Sequence, residues 1–299
     1  MRIAMRLSTV VLLLLAGTAT FASSDTTFDR QVPAQPRGAV DISNISGTIE
    51  VSGWERAEVS VHAELGSGVE RVEVGNDGGR TTIKVIVPHT SGRGGEARLQ
   101  VKIPKDSELN VSAVSADVTT SGVLGVQRLS AVSGDVTAEL AGADVELKTV
   151  SGNLRLKGHG QPARLHLSTV SGDVHLEHGA GDFEASTVNG TLSVSLDSAR
   201  SVHARTTSGD LRFEGKLTHG ATLEASTVSG NLNVRASADG GYAYEVSSFS
   251  GEISDCFKAS PERASKYGPG SLLSGTRGDG AGHVRLKTMS GDVQLCDHP

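Results

Sequence analysis

The sequence predicts an all-β protein, a parallel and right-handed β-solenoid of about 18–21 residues per coil behind a strand-rich N-terminal cap. Three observations point there. A short Ser-Gly phrase returns along most of the 299-residue chain, apolar and polar residues alternate on both sides of it, and no stretch carries a convincing helical period. The right hand is expected because parallel crossovers take it.

From the N-terminus, Arg2 and Arg6 precede an apolar run at Val10 to Ala16 and the small-residue site Thr20-Phe21-Ala22. This is the pattern of a signal peptide over residues 1–22, so the mature chain is expected to be exported. Residues 23–38 read as a flexible N-terminus. Over 39–108, strand-like runs at Ala39–Val51, Glu58–Ala63, Val69–Val74, Thr81–Val87 and Arg98–Ile103 alternate with turn-rich segments such as Asn76-Asp77-Gly78-Gly79 and Ser91 to Gly95. Longer, less periodic strands at one end suit a cap over an exposed solenoid edge, while Asp297 and Pro299 blunt the other end weakly.

The repeats occupy 109–299. Aligned on their turn glycines Gly134, Gly152, Gly172, Gly190, Gly209, Gly230, Gly251 and Gly291, they are spaced by 18, 20, 18, 19, 21, 21 and 40 residues. An earlier copy has Ala116 at the glycine position, and Ser46-Gly47 reads as an isolated forerunner. Apolar residues recur seven, five and two positions before the glycine and two and four after it: Leu165, Leu167, Val170, Val174 and Leu176 around Gly172. Two short strands per copy follow, with the apolar set expected inside, the valine of Thr-Val-Ser-Gly included. One copy buries too little to offset the entropy of ordering it, so the copies must stack and pair their backbones. Glycine suits a corner that needs positive φ or close backbone approach.

In such a stack, side-chain chemistry is written in columns. Six residues before each glycine the outward ladder reads Arg128, Glu146, His166, Glu184, His203, Glu224, Glu245 and Arg285. It is expected to solvate the face and hold register through opposite charges on neighbouring strands; metal binding is the alternative for its His and Glu. The residue after each glycine forms a second column, Asp117, Asp135, Asn153, Asp173, Thr191, Asp210, Asn231, Glu252 and Asp292, read as turn chemistry with calcium as the alternative. No other cofactor is expected. Three before the glycine stand Thr149, Thr169, Thr187, Thr206, Thr227, Ser248 and Thr288, whose hydroxyls are expected to be satisfied at the turn.

Cys256 and Cys296 each lie five residues after a repeat glycine, the same place in adjoining coils. In-register neighbours about 4.8 Å apart are within disulfide reach, and a bond between them is expected to staple the last coil. The 40-residue gap is expected to hold a projecting loop at about 258–282, rich in Gly, Ser, Pro and charge. It contains Arg277-Gly278-Asp279, a tripeptide read by some animal adhesion receptors, but so short a match arises by chance and the flanking glycines point to a turn.

The phrase Thr-Val-Ser-Gly-Asp-Val, behind a signal peptide and a strand-rich N-terminal region, resembles the bacterial β-strand-repeat family catalogued as adhesins, to which the head GIN domain auto-transporter adhesins are related. The resemblance spans about Ala39 to Cys296. It implies an exported solenoid of the cell envelope, in the periplasm or at the surface, and brings no catalytic residues. No anchor or translocation barrel is evident beside the repeats.

Composition narrows the function classes. Removing Arg2 and Arg6 from 28 basic residues leaves 26 against 34 acidic, a charge of −8, which disfavours nucleic acid and suggests that any charged partner is cationic or metal-bridged. No later apolar run reaches the roughly 20 residues of a membrane span. With 37 glycines and 10 aromatics there are few rings to stack sugars, and no Gly-x-Ser-x-Gly elbow or phosphate loop is present. His175-Leu176-Glu177-His178 resembles a metal motif in letters alone. The chain is therefore expected to be non-catalytic, an adhesin-like binding or scaffolding surface for an envelope polymer or protein ligand. An envelope-stress sensor and a polysaccharide-active β-helix enzyme are the alternatives.

Overall fold

The computed structural model describes residues 26–88, 95–257, 259, 261–263 and 269–297. The expected signal peptide, the turn residues 91–94, Pro299 and parts of the expected insert (258, 260 and 264–268) lie outside the described residues. Within them the chain is all-β, a 22-stranded and mostly parallel sheet.

Seven strands open the fold: β1 (Thr26–Pro33), β2 (Ala39–Trp54), β3 (Glu58–Leu65), β4 (Arg71–Asp77), β5 (Arg80–Ile86), β6 (Ala97–Pro104) and β7 (Glu108–Ser121). On one side β2 lies parallel to β7, with Gly47 opposite Ala116; on the other it pairs in parallel with β5 and β6. Gly47 thus marks a tier of the stack, and parallel stacking reaches back to residue 39 rather than starting at 109. Antiparallel strands close this end: β3 lies against β6, β4 against β5, and β1 against β3. Within the segment expected to be flexible at 23–38, Thr26–Pro33 is instead strand β1. Its alternation of Phe28 and Val32 with polar residues gives β1 a partly buried face, too short to stand out in the sequence.

The repeats continue as β8 (Gln127–Ser133), β9 (Val136–Glu139), β10 (Val145–Ser151), β11 (Leu154–Lys157), β12 (Pro162–Ser168), β13 (Val174–Asn189), β14 (Leu192–Ser208), β15 (Leu211–Ser229) and β16 (Leu232–Ala238). Each strand pairs in register with the equivalent strand of the next copy: Leu147 faces Leu129 and Leu167, and Val174 faces Leu154 and Leu192. Positions −7, −5, +2 and +4 from the glycine form mostly aliphatic buried columns, with Phe183, Phe213 and Tyr244 and the hydrogen-bonded pair Thr120–Gln127 among them.

Position −2 departs from expectation. Val132, Val150, Val170, Val188 and Val228 point into solvent, as do Ile45, Val114, Met289 and Phe249, each 41–57% exposed, while the threonines at −3 are buried. The reason is parity. With −7 and −5 inside, strand alternation puts −3 inside and −2 outside, and a hydrophobic side chain cannot overrule it without a bulge. Apart from Thr149, whose buried hydroxyl has no hydrogen-bond partner, these hydroxyls find acceptors on the adjacent tier: Thr187 donates to the Gly172 carbonyl at 3.3 Å, Thr288 to Gly230 at 3.3 Å and Ser248 to Gly291 at 3.1 Å.

The C-terminal strands are β17 (Gly241–Ser250), β18 (Ile253–Asp255), β19 (Glu262–Arg263), β20 (Ser271–Gly278), β21 (Gly282–Ser290) and β22 (Val293–Cys296). Their spatial order is not their chain order. β21 pairs in parallel with β15 on one side and β17 on the other, and β22 likewise lies between β16 and β18. The last copy in the sequence is therefore inserted beneath the Gly251 copy, which becomes the outermost tier. The insert is not a simple projecting loop: β20 runs antiparallel along β17 and covers its outer edge, with β19 beyond it. Arg277, at the end of β20, pairs with Asp297 and stacks 4.4 Å over Phe257, which in turn lies 5.8 Å from Tyr244. Cys256 and Cys296 form a disulfide with 5.0 Å between their Cα atoms, joining the interposed tier to the outermost one.

At the corners that carry a positive φ the adjacent tier leaves no room for a Cβ, whereas Ala116 fills its corner without a positive φ. Gly190 has φ +152°, and a Cβ added to it would lie 2.0 Å from the Gly172 carbonyl oxygen. The substitution Gly190→Ala is expected to cost about 2–4 kcal/mol, whereas Gly75→Ala, where a Cβ meets nothing within 4 Å, should change stability by less than about 0.5 kcal/mol. Urea unfolding of the two variants checks the contrast. Reduction of Cys256–Cys296, or Cys256→Ser, should lower stability by up to about 4 kcal/mol on the loop-entropy model, read as a lower unfolding midpoint in dithiothreitol.

Candidate binding face

Positions −6, −4 and −2 of every tier emerge on one face as three parallel columns. The −6 column is the charged ladder, and the strand pairings give its true order: Arg128, Glu146, His166, Glu184, His203, Glu224, Arg285, Glu245. Glu224 and Glu245, neighbours in chain order, are separated by Arg285 because β21 lies between β15 and β17. Basic and acidic side chains consequently alternate without a break. Arg128 lies 4.0 Å from Glu146, His166 3.3 Å from Glu184, His203 3.7 Å from Glu224 and Arg285 3.1 Å from Glu245. Lys148 on the same strand hydrogen-bonds Glu146; that contact, with His166 and Arg128 on the flanking tiers, outweighs burial and holds the Glu146 carboxyl below the usual glutamate value.

The −4 column is mostly serine, interrupted by Lys148, Arg205 and Lys287. Between this column and the ladder runs a groove of about 470 Å³, lined by Glu184, Ser186, His203, Arg205, Glu224, Ser226, Arg285 and Lys287. Depressions on either side share its ladder residues, Glu184 and His203 in one direction and Glu224 and Arg285 in the other, so the concavity follows the ladder across several tiers. Within the groove, Glu184, His203, Glu224 and Arg285 are paired along the ladder, while the side chains of Arg205 and Lys287 have no ion pair or hydrogen bond among the described residues. The sequence singled out the ladder but passed over these two cations, whose signal was a break in the serine column.

The +1 column is committed to the backbone. An Asp135 oxygen accepts the Asn153 amide at 2.8 Å, Asn153 accepts Asp173 at 3.0 Å, Asp173 accepts Thr191 at 2.8 Å, Asn231 accepts Asp292 at 2.9 Å and Asp292 accepts Glu252 at 2.8 Å. Each side chain bridges its corner to the next, so these oxygens are turned to neighbouring amides rather than gathered around a point. Among the described residues no group of three or more His, Cys, Asp or Glu could hold a metal ion. His175 bonds Glu177 at 2.9 Å on one strand face, while His178, with φ 54°, reaches Asp197 at 3.2 Å. In Arg277-Gly278-Asp279 both charges are engaged internally, Asp279 with the Ala281 amide at 2.9 Å and His219 at 3.3 Å.

Burial raises the Asp135 pKa, but hydrogen bonds from the Asn153 amide, Arg155 and the Asn153 side chain more than offset it, leaving the carboxyl below its usual value. A folded-state pKa below the unfolded one contributes stability that is present above the unfolded pKa and lost as pH falls through the folded one. The melting temperature should therefore fall below about pH 4, and Asp135→Asn should reduce the size of that fall; melts from pH 7 to 3 on both proteins measure it.

Several solved structures resemble the chain, three of them as follows. A "putative adhesin" from Parabacteroides merdae ATCC 43184 has 12% identity, covers 91% of this chain and 97% of its own, and gives a TM-score of 0.49. A second "putative adhesin", from Parabacteroides distasonis ATCC 8503, has 10% identity over 91% and 98%, with a TM-score of 0.48. A "putative lipid binding protein" from the same organism has 12% identity over 91% and 98%, with a TM-score of 0.47. No curated protein matches. The model of the Toastrack DUF4097 family matches residues 38–296, and the chain belongs to that family.

Proposed function

We propose that this is a non-catalytic, exported cell-envelope protein, whose repeats wind as a parallel, right-handed solenoid and present one long face for adhesive or scaffolding contact. The observation that carries this reading is the groove beside the ladder. Its ladder residues are paired with their neighbours, and the uncommitted side chains are two cations, Arg205 and Lys287, with Ser186 and Ser226 alternating along the same column. Such a surface can hold an extended ligand across tiers but offers no activated nucleophile or isolated acid and base. The ligand it fits is an envelope polymer carrying anionic groups. That differs from the cationic partner suggested by the net charge, because a whole-chain charge says nothing of the sign left unpaired in one groove.

The disulfide suits an oxidising compartment, as expected of an exported chain in the periplasm or at the surface. Retention on isolated peptidoglycan sacculi or anionic-polysaccharide beads, but not on neutral dextran beads, tests the reading. Binding should be saturable and weakened by salt, and the double variant Arg205→Ser, Lys287→Ser should lower affinity about tenfold or more. Equal retention of wild type and variant, or retention on none of the matrices, would overturn it.

A further inference from the structure

The −2 column is an apolar stripe in space, interrupted once. Ten tiers place nine apolar side chains and Thr207 in line, with Met289 and Phe249 at one end. At about 4.8 Å per tier the stripe is about 43 Å long. Strand preference suits the valines, Ile45 and Phe249, but a polar β-branched residue fills the position equally, as Thr207 shows, and methionine has no strand preference to explain Met289. Together the nine side chains expose roughly 700 Å², more than the largest patch of an ordinary monomer.

We infer that this ridge is where a second copy of the chain docks. Two ridges meeting would bury about 1,400 Å² in total, within the range of stable, specific interfaces. The stripe is self-complementary in pitch, since each copy repeats at the strand spacing and the side chains of one can settle between those of the other. Its borders permit close approach. The next residue along the chain is serine in nine tiers and Asn189 in the tenth, so no long side chain stands between ridge and corner. The second column away on the other side holds no carboxylate. The inference is independent of the ligand assigned to the groove.

Sedimentation velocity of the mature, disulfide-intact chain tests it. The expected result is a dimer in the micromolar range, converted to monomer by Val150→Glu with Val188→Glu, whose side chains face solvent in the monomer and so leave circular dichroism and melting unchanged. Val150→Ser with Val188→Ser should weaken association at least tenfold, and Thr207→Val, which completes the stripe, should tighten it. A wild type that remains monomeric at tens of micromolar, or a dimer indifferent to all three changes, overturns the inference. A monomeric wild type that floats with phosphatidylglycerol vesicles, and loses this in the Val150→Glu, Val188→Glu variant, would overturn it in favour of a lipid surface.

Discussion

Everything in this protein depends on parallel, in-register pairing between successive tiers. A repeat of about 19 residues has no interior of its own; its aliphatics become a core when the same residues of the neighbours lie above and below them. That single constraint dictates the glycine at the corner, where the carbonyl of the adjacent tier occupies the space of a Cβ. It also explains the threonine three residues earlier, whose methyl can pack inside while its hydroxyl bonds that same carbonyl row. The Asx residue after the glycine completes the corner by accepting an amide from the next tier.

Stacking like on like carries an electrostatic hazard, because identical repeats would place identical charges about 4.8 Å apart. The ladder avoids it by alternating basic and acidic residues. The one place where chain order would fail, Glu224 followed by Glu245, is where the fold departs from chain order and sets Arg285 between them. The interposed tier is also the one tethered by the disulfide, so the strand pair that arrives last in the sequence is held by backbone pairing on both sides and by a covalent bond to the outer tier.

An open stack also exposes two edges. Antiparallel strands β1, β3 and β4 close one end and β20 covers the β17 edge at the other, supplying different side chains from those of the repeat and interrupting its template. The faces between those ends are then free to differ from one another. One column alternates basic and acidic residues, the next leaves Arg205 and Lys287 uncommitted, and the third is apolar, so the chemistry of the surface changes from column to column and continues from tier to tier.

The sequence by itself determined the repeat, its strands, the glycine corners, the charged ladder and the pairing of Cys256 with Cys296, because each is a periodic signal or an equivalence between copies. It misled at Val170 and its equivalents: hydrophobicity argued for burial, and strand parity, set by Leu165 and Leu167, sent them outward. Phe28 and Val32 carried too short a pattern to announce β1. What only the tertiary structure decided is neighbourhood: that Gly47 stacks on Ala116 across 69 residues, that β21 enters between β15 and β17, and that β20 returns to cover an edge. Local periodicity specifies which face of a strand is buried. It does not say which strand lies beside it when the connection is long, since that choice rests on edge pairing and on charges brought together from distant parts of the chain.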